Sequence, residues 1–380
     1  MDYFNYLRGD LRVEDVPAEE LARKHGTPLY VYSARTVVEH YRKLRDAFAG
    51  AGDLELAPMI CYSVKANSNL SLLKLMKDQG SGFDVVSGGE LQRALKIGAD
   101  PKTIVFAGVG KADDEINAAL DAGILLFNVE SEEELRNIDR LAGLKGRKAD
   151  VALRVNPDVD PQTHTYISTG KKESKFGVDL DRALRIVKEG VALKNVRMSG
   201  IHVHIGSQIT KVDPYVETMQ RVGAFLPEVR KLGAPLEYLD IGGGFGIWYK
   251  DKSARPATEI ATAILPALKA SGCKVILEPG RFIVGNAGIL LTRVLYVKES
   301  GAKKFVICDA GMNDLIRPTL YSAYHRIWPV KTDPAHSGEV PDEEQWAGAA
   351  AATSPPRVPS GRRDRPCRPK WPAGSAPNRR

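Results

Sequence analysis

From about Tyr30 onward the chain alternates short apolar runs with longer segments whose apolar residues recur at helical spacing. Pro28 to Ser33 (PLYVYS) reads as a strand, and TVVEHYRKLRDAFAG follows it as an amphipathic helix with a glycine stop. The couplet then repeats: MICYSVKAN with LSLLKLMKDQG, GFDVVS with GGELQRALKIG, TIVFAG with ADDEINAALDAG, ILLFNV with SEEELRNIDRLAG, and DVALRVNP with DLDRALRIVKEG. MSGIHVHIGS with DPYVETMQRVGAFLPEVRKLG and LEYLDIGGGF with PATEIATAILPALKASG continue the series, and KVILEPGR is a ninth apolar run. Such alternation over roughly 250 residues predicts an α/β fold with a parallel sheet. A closed, TIM-like (β/α)8 barrel fits the repeat better than an open sheet, because no dinucleotide fingerprint follows the first strand.

After Arg281 the pattern changes to IVGNAGILLTRVLYVKES and KKFVICDAG, apolar runs with turn signals and no helix between them. These predict a second, antiparallel β domain. The expected division is an N-terminal segment 1–34 contributing to that domain, the barrel over 35–282, the start of the β domain over 283–330, and a tail over 331–380.

Net charge, +7, first suggests an anionic polymer as partner. Its location removes that reading. Residues 351–380 hold eight Lys and Arg against the single acid Asp364, so the first 350 residues are balanced. Neither nucleic acid nor a membrane is an expected partner. Four scattered cysteines (Cys61, Cys273, Cys308, Cys367) form no CxxC pair, and the start of the chain lacks a signal-peptide pattern. A cytoplasmic protein with reduced thiols and no structural metal is expected.

In a barrel, chemistry gathers where strands end. Lys65 in YSVKAN is either a solvated charge or a Schiff-base nucleophile kept partly deprotonated by burial. His202 and His204 in HVHIG share one strand face and read as hydrogen-bonded core histidines or a metal pair, the latter without a nearby carboxylate to complete it. Gly242, Gly243 and Gly244 in IGGGF form a tight turn or a phosphate cradle with exposed N–H groups. Glu278, followed by Pro279, Gly280 and Arg281, reads alone as half of a salt bridge. Together these elements ask for an aldehyde, a phosphate and a ring nitrogen in one ligand. Pyridoxal 5′-phosphate (PLP) has all three.

The motifs YSVKAN, FDVVSGGEL, HTYISTGKKESKFGV, GIHVHIGSQ, DIGGGF, EPGR and MNDLIRPTLYSAYH, in this order over roughly residues 5 to 330, resemble the barrel-type PLP-dependent decarboxylases and within them the diaminopimelate decarboxylases. The resemblance implies decarboxylation of meso-2,6-diaminopimelate to L-lysine and CO2, the last step of lysine biosynthesis. It implies Lys65 as the lysine that carries the cofactor and His204 as the ring stacked on it. Ser207 and Gly242 to Gly244 resemble the phosphate-binding groups, with Pro279, Gly280 and Arg281 beside them, and Glu278 the partner of the pyridine nitrogen. Arg281, Arg317 and Tyr321 match substrate-binding positions, suited to a small diamino dicarboxylate. A homodimer with shared active sites is also implied. Another decarboxylase of this family, or a PLP-binding non-enzyme, is the alternative; a racemase would place Arg where Glu278 stands.

Beyond about Val330 the family pattern stops. The Cys-Glu-Ser-Gly-Asp segment and a later Tyr, expected by resemblance, do not occur, and Ala, Gly, Pro and Arg make up 24 of the 35 residues from 346 to 380. A disordered tail is expected there, arising from a frameshift in a GC-rich gene or existing as a natural basic, Pro-rich appendage. Without the Cys-Glu-Ser-Gly-Asp segment, the resemblance implies reduced or lost activity.

Overall fold

A computed structural model describes residues 3–49, 57–160, 175–249, 254–301 and 303–332. The HTYISTG segment, Cys367, nearly all of the expected 331–380 tail and the frameshift expectation lie outside the described residues.

Eight parallel strands close into a barrel: β1 (Met59–Ser63), β2 (Gly82–Val85), β3 (Ile104–Phe106), β4 (Leu126–Val129), β5 (Ala149–Asn156), β6 (Val196–Val203), β7 (Tyr238–Asp240) and β8 (Lys274–Leu277). Closure comes from β8 pairing with β1 through Ile276–Met59 and Leu277–Ile60, and from β4 pairing with β5 through Phe127–Val151 to Val129–Leu153. Helices follow the first seven strands, from Leu70–Asp78 to Ala257–Ser271, and a short helix, Arg281–Val284, follows the eighth. No described helix is long and apolar enough to cross a membrane.

Local chemistry sets where these helices start. Ser87 accepts the Glu90 N–H and Ser131 the Glu134 N–H. The same glutamates reach back to the N–H groups of Val86 and Glu130, a capping box displaced by one residue. The βα turns above β2 and β4 are thereby fixed.

Strands β2 and β4 are buried on both faces, which explains their unbroken apolar character. The run around Tyr30 differs. Leu29–Tyr32 is mostly half-buried and pairs antiparallel with Gly288–Leu291, so the first strand of the predicted series lies outside the barrel and the other eight build it. Periodicity alone could not separate them, because both kinds of strand read as short apolar runs. Phe4–Leu7, Asp10–Val13 and Val16–Pro17 form a small antiparallel sheet, and Val294–Ser300 pairs with Lys303–Cys308.

Inside the barrel, Cys61, Val105, Leu126, Ala152 and Ile276 from five strands make an apolar plug. One step of two residues along a strand keeps the same face and moves toward the carboxyl end. That step leads from Cys61 to Ser63, Gly82 to Asp84, Leu126 to Asn128, Ala152 to Arg154, Gly200 to His202, Tyr238 to Asp240 and Ile276 to Glu278. Seven strands therefore place a polar residue above the plug at or near their carboxyl ends; β3 supplies Ala107 instead.

Candidate active site

Ser63, Asp84, Asn128, Arg154, His202, Asp240 and Glu278 are all buried. Polar groups removed from water need partners, and here they are largely one another. Asn128 Nδ2 donates to Asp240 Oδ2 at 3.1 Å and to Glu278 Oε1 at 3.0 Å. His202 Nε2 lies 3.3 Å from Glu278 Oε2. Burial works to raise the Glu278 carboxyl, but His202, Lys65 and a hydrogen bond with Asp240 outweigh it, and Glu278 is held below its usual range as an anion. Candidate ligand atoms of His202, Asp240 and Glu278 lie within 4.8 Å of one another. The expectation that no carboxylate stands near these histidines is thus corrected: the fold brings two carboxylates from separate strands, and the Asn128 amide donates into both.

Lys65 occupies a turn of 3-10 helix, Val64–Ala66, directly after β1. Its side chain is half-exposed at the barrel mouth, and Nζ is 2.5 Å from Asp84 Oδ2. Asp84 Oδ2 also receives the Ser63 hydroxyl at 2.6 Å. Burial pushes the Lys65 ammonium down, but the Asp84 and Glu278 charges together raise it above its ordinary value. Lys65 is therefore paired and protonated here, not kept partly deprotonated by burial as the sequence suggested.

The three glycines are required by space. A Cβ on Gly242 would meet His204 Nδ1 at 2.6 Å, on Gly243 the Glu278 carbonyl oxygen at 2.1 Å, and on Gly244 the Gly206 carbonyl oxygen at 2.5 Å. Gly242 and Gly244 also take positive φ, +67° and +93°. Contrary to the expectation of three exposed N–H groups, the Gly242 N–H is bound by Asp240 Oδ1 at 2.9 Å and the Gly243 N–H by His204 Nδ1 at 3.1 Å. Because a backbone N–H can only donate, His204 Nδ1 carries no proton. Burial, with the charges of Arg154 and Lys65, holds this imidazole well below its ordinary pKa, so it is neutral.

Ser207 follows His204 in the half-buried loop above β6. Pro279 accepts the Ser63 N–H at 2.9 Å, and Gly280 packs so closely on the Lys65 turn that a Cβ would meet those of Ser63 and Ala66 at 3.1 Å. Arg281 Nη1 is 3.5 Å from Gln208 Oε1 and 3.4 Å from Tyr249 Oη. Lys65, His204, Ser207, the glycines, Glu278 and Arg281 thus share one rim. Arg317 and Tyr321 stand on a separate short helix, Arg317–Tyr321, with the guanidinium 5.9 Å from the ring centre. Among the described residues no hydrogen bond, ion pair or ring contact ties either to the Lys65–Glu278 cluster.

Asp84, Asn128, Arg154 and Asp240 belong to the site and were not singled out from the sequence. Arg154 donates to buried Glu130 at 3.0 Å and lies over the Phe176 ring, while its Nε has no hydrogen-bond partner. The mouth therefore offers an amine, a buried anion, a neutral imidazole and a glycine loop into which no side chain fits. These suit the aldehyde, ring nitrogen, ring face and phosphate of PLP.

Comparison with known proteins agrees. The profile of the pyridoxal-dependent decarboxylase, pyridoxal binding domain, matches residues 34–285. The diaminopimelate decarboxylase of Aquifex aeolicus is 49% identical over 87% of this chain and 77% of its own length. The crystal structure of diaminopimelate decarboxylase from Helicobacter pylori complexed with L-lysine is 44% identical, with a TM-score of 0.77 over 81% of this chain and 76% of that one. That from M. jannaschii in co-complex with L-lysine is 39% identical, with a TM-score of 0.81 over 86% and 78%. The chain belongs to the diaminopimelate decarboxylase family of pyridoxal-dependent decarboxylases.

Proposed function

We propose that this chain is a PLP-dependent carboxy-lyase that converts meso-2,6-diaminopimelate to L-lysine and CO2. The observation that carries the reading is the joint placement, on one barrel mouth, of the Lys65 amine, the Glu278 anion and the glycine loop. Lys65 would hold the cofactor through its aldehyde carbon. Glu278 would lie against the ring nitrogen and favour a proton there. His204, neutral and fixed through Gly243, offers its flat ring to the cofactor's face. Gly244, Ser207 and the Gly280–Arg281 turn would hold the phosphate. Bound PLP would supply an electron-withdrawing ring.

Arg281 and Arg317 provide guanidinium groups for a substrate with two carboxylates, and Tyr321 lies beside Arg317. A homodimer with shared active sites is part of the same reading and follows from the family resemblance. The division into segments 1–34, 35–282 and 283–330 accords with the antiparallel pairing of Leu29–Tyr32 with Gly288–Leu291 outside the barrel. Free Cys61, Cys273 and Cys308 suit a reducing cytoplasm.

The test is release of labelled CO2 from carboxyl-labelled meso-diaminopimelate by the purified, PLP-loaded chain, beside Lys65→Ala. Release by the unmutated protein and none by the variant is expected. Retention by Lys65→Ala of cofactor absorbance through borohydride treatment and dialysis would sink the assignment of Lys65, and preference for L-lysine or L-ornithine would overturn the substrate.

A further inference from the structure

Asp240 ends β7, two residues before the first loop glycine, and is fully buried. Its two oxygens serve different elements. Oδ1 accepts the Gly242 N–H at 2.9 Å, while Oδ2 accepts from Asn128 at 3.1 Å, and the same Asn128 amide donates to Glu278 Oε1 at 3.0 Å, so the two buried carboxyls lie within 4.8 Å of one another. Two carboxylates this close inside a dry barrel repel, which favours a single proton between them. The neighbours decide its owner. Glu278 has His202 at 3.3 Å and feels the Lys65 charge, both favouring the anion. Asp240 is hydrogen-bonded by the neutral donors Gly242 and Asn128, which stabilise its charge far less than a cation does.

We propose that Asp240 is a positioning residue whose protonated carboxyl donates to Glu278 while its second oxygen anchors Gly242. One side chain thereby sets the spacing between the anion for the cofactor's ring nitrogen and the loop for its phosphate, the two ends of the ligand. The proposal rests on the cofactor reading above. Burial and the Glu278 charge push the Asp240 carboxyl well above its ordinary pKa, in keeping with the geometry.

Asp240→Asn preserves both roles, since the amide can donate to Glu278 and its carbonyl can accept from Gly242, and it gives up only the bond accepted from Asn128, which keeps its other hydrogen on Glu278; Asp240→Ala removes all three. The unmutated chain and the two variants are titrated with PLP by visible absorbance, their folding is followed by circular dichroism, and infrared difference spectra between the unmutated chain and Asp240→Asn are recorded near neutral pH. Asp240→Asn is expected to bind PLP with nearly unchanged affinity and an unmoved absorption band. Asp240→Ala, still folded, is expected to lose about 10- to 100-fold in affinity and to shift the band, the scale of the two hydrogen bonds that Asp240→Asn keeps, one to a charged group. The unmutated chain is expected to show the carbonyl stretch of a protonated carboxyl that Asp240→Asn lacks. Damage by Asp240→Asn equal to that by Asp240→Ala, tight PLP binding by Asp240→Ala, or no protonated-carboxyl band each overturns the proposal. Failure of the unmutated chain to take up PLP overturns the cofactor reading and the positioning role with it, and is told apart because it needs no substitution.

Discussion

Replacing Gly243 by alanine inserts a methyl group where the Glu278 carbonyl oxygen already stands, 2.1 Å from the ideal Cβ position. Ordinary contact needs at least ~1 Å more. The obstacle is backbone, with the Glu278 carbonyl carbon behind it at 3.0 Å, so no side-chain rotation relieves it. Gly243 does not have a positive φ, and the effect is purely steric. Overpacking of this kind costs about 1–3 kcal/mol. For a chain of this size it lowers the melting temperature by roughly 1–4 °C. Separating the loop from β8 also strains the Glu278 N–H to Gly242 carbonyl bond of 2.7 Å, so PLP affinity falls about tenfold. Gly223→Ala is the control, because that exposed glycine within Asp213–Lys231 has nothing within 4 Å of an added Cβ. It should gain about 0.5–1 kcal/mol and leave PLP binding unchanged. Thermal melting and PLP titration of both variants decide the matter. If Gly243→Ala melts and binds like the unmutated protein, the loop is not held against the strand end and the steric argument is wrong.

Two further outcomes concern titration. The folded imidazole of His204 stays neutral well below 6.5, whereas the unfolded one takes a proton there, so the unfolded state binds more protons and stability falls as pH drops from about 6.5 toward the lowered value. His204→Gln should flatten that limb of a denaturation midpoint against pH, while the opposite slopes from Asp84 and Asp240 remain in both proteins; equal limbs would refute it. Asp84→Asn removes a charge that raises the Lys65 ammonium, so the pH at which PLP attaches half-maximally fast should move to lower values, read by stopped-flow absorbance, and an unmoved profile would count against the pair.

The barrel was legible because each strand and helix carries its own period and stop. What escaped was the partner of the strand at Leu29–Tyr32, because Gly288–Leu291 lies far along the chain and leaves no mark in local pattern. The site was half legible. Lys65, Glu278 and the glycines sit in loops where unusual residues stand out, but Asp84, Asn128 and Asp240 close apolar runs and pass for strand ends. A usable signal existed in the recurring triplet of an apolar or small residue, an apolar residue and a polar one: CYS, GFD, LFN, ALR, GIH, YLD and ILE. Strand period places the third member above the first on the inner face. The protonation of Lys65 was not legible, since it depends on Asp84 arriving from the next strand.

The small cluster around Tyr6, Leu11, Ala18 and Leu291, with Trp328 and Val330 packed on it, joins the earliest-made part of the chain to some of the last described residues. The Leu11 N–H reaches the Val330 carbonyl at 2.9 Å, and Thr332 closes onto Gly9 at 2.8 Å. On the ribosome, the barrel's βα units can assemble from neighbours as they emerge, and the opening strands can pair with one another, but their cluster lacks Leu291, Trp328 and Val330 until the whole barrel has been translated. Its apolar side chains stay incompletely covered until then. The interval before the far segment arrives is therefore when this protein is most exposed to chaperones, proteases and aggregation, and the junction of its first strands with the segment around Val330 forms last.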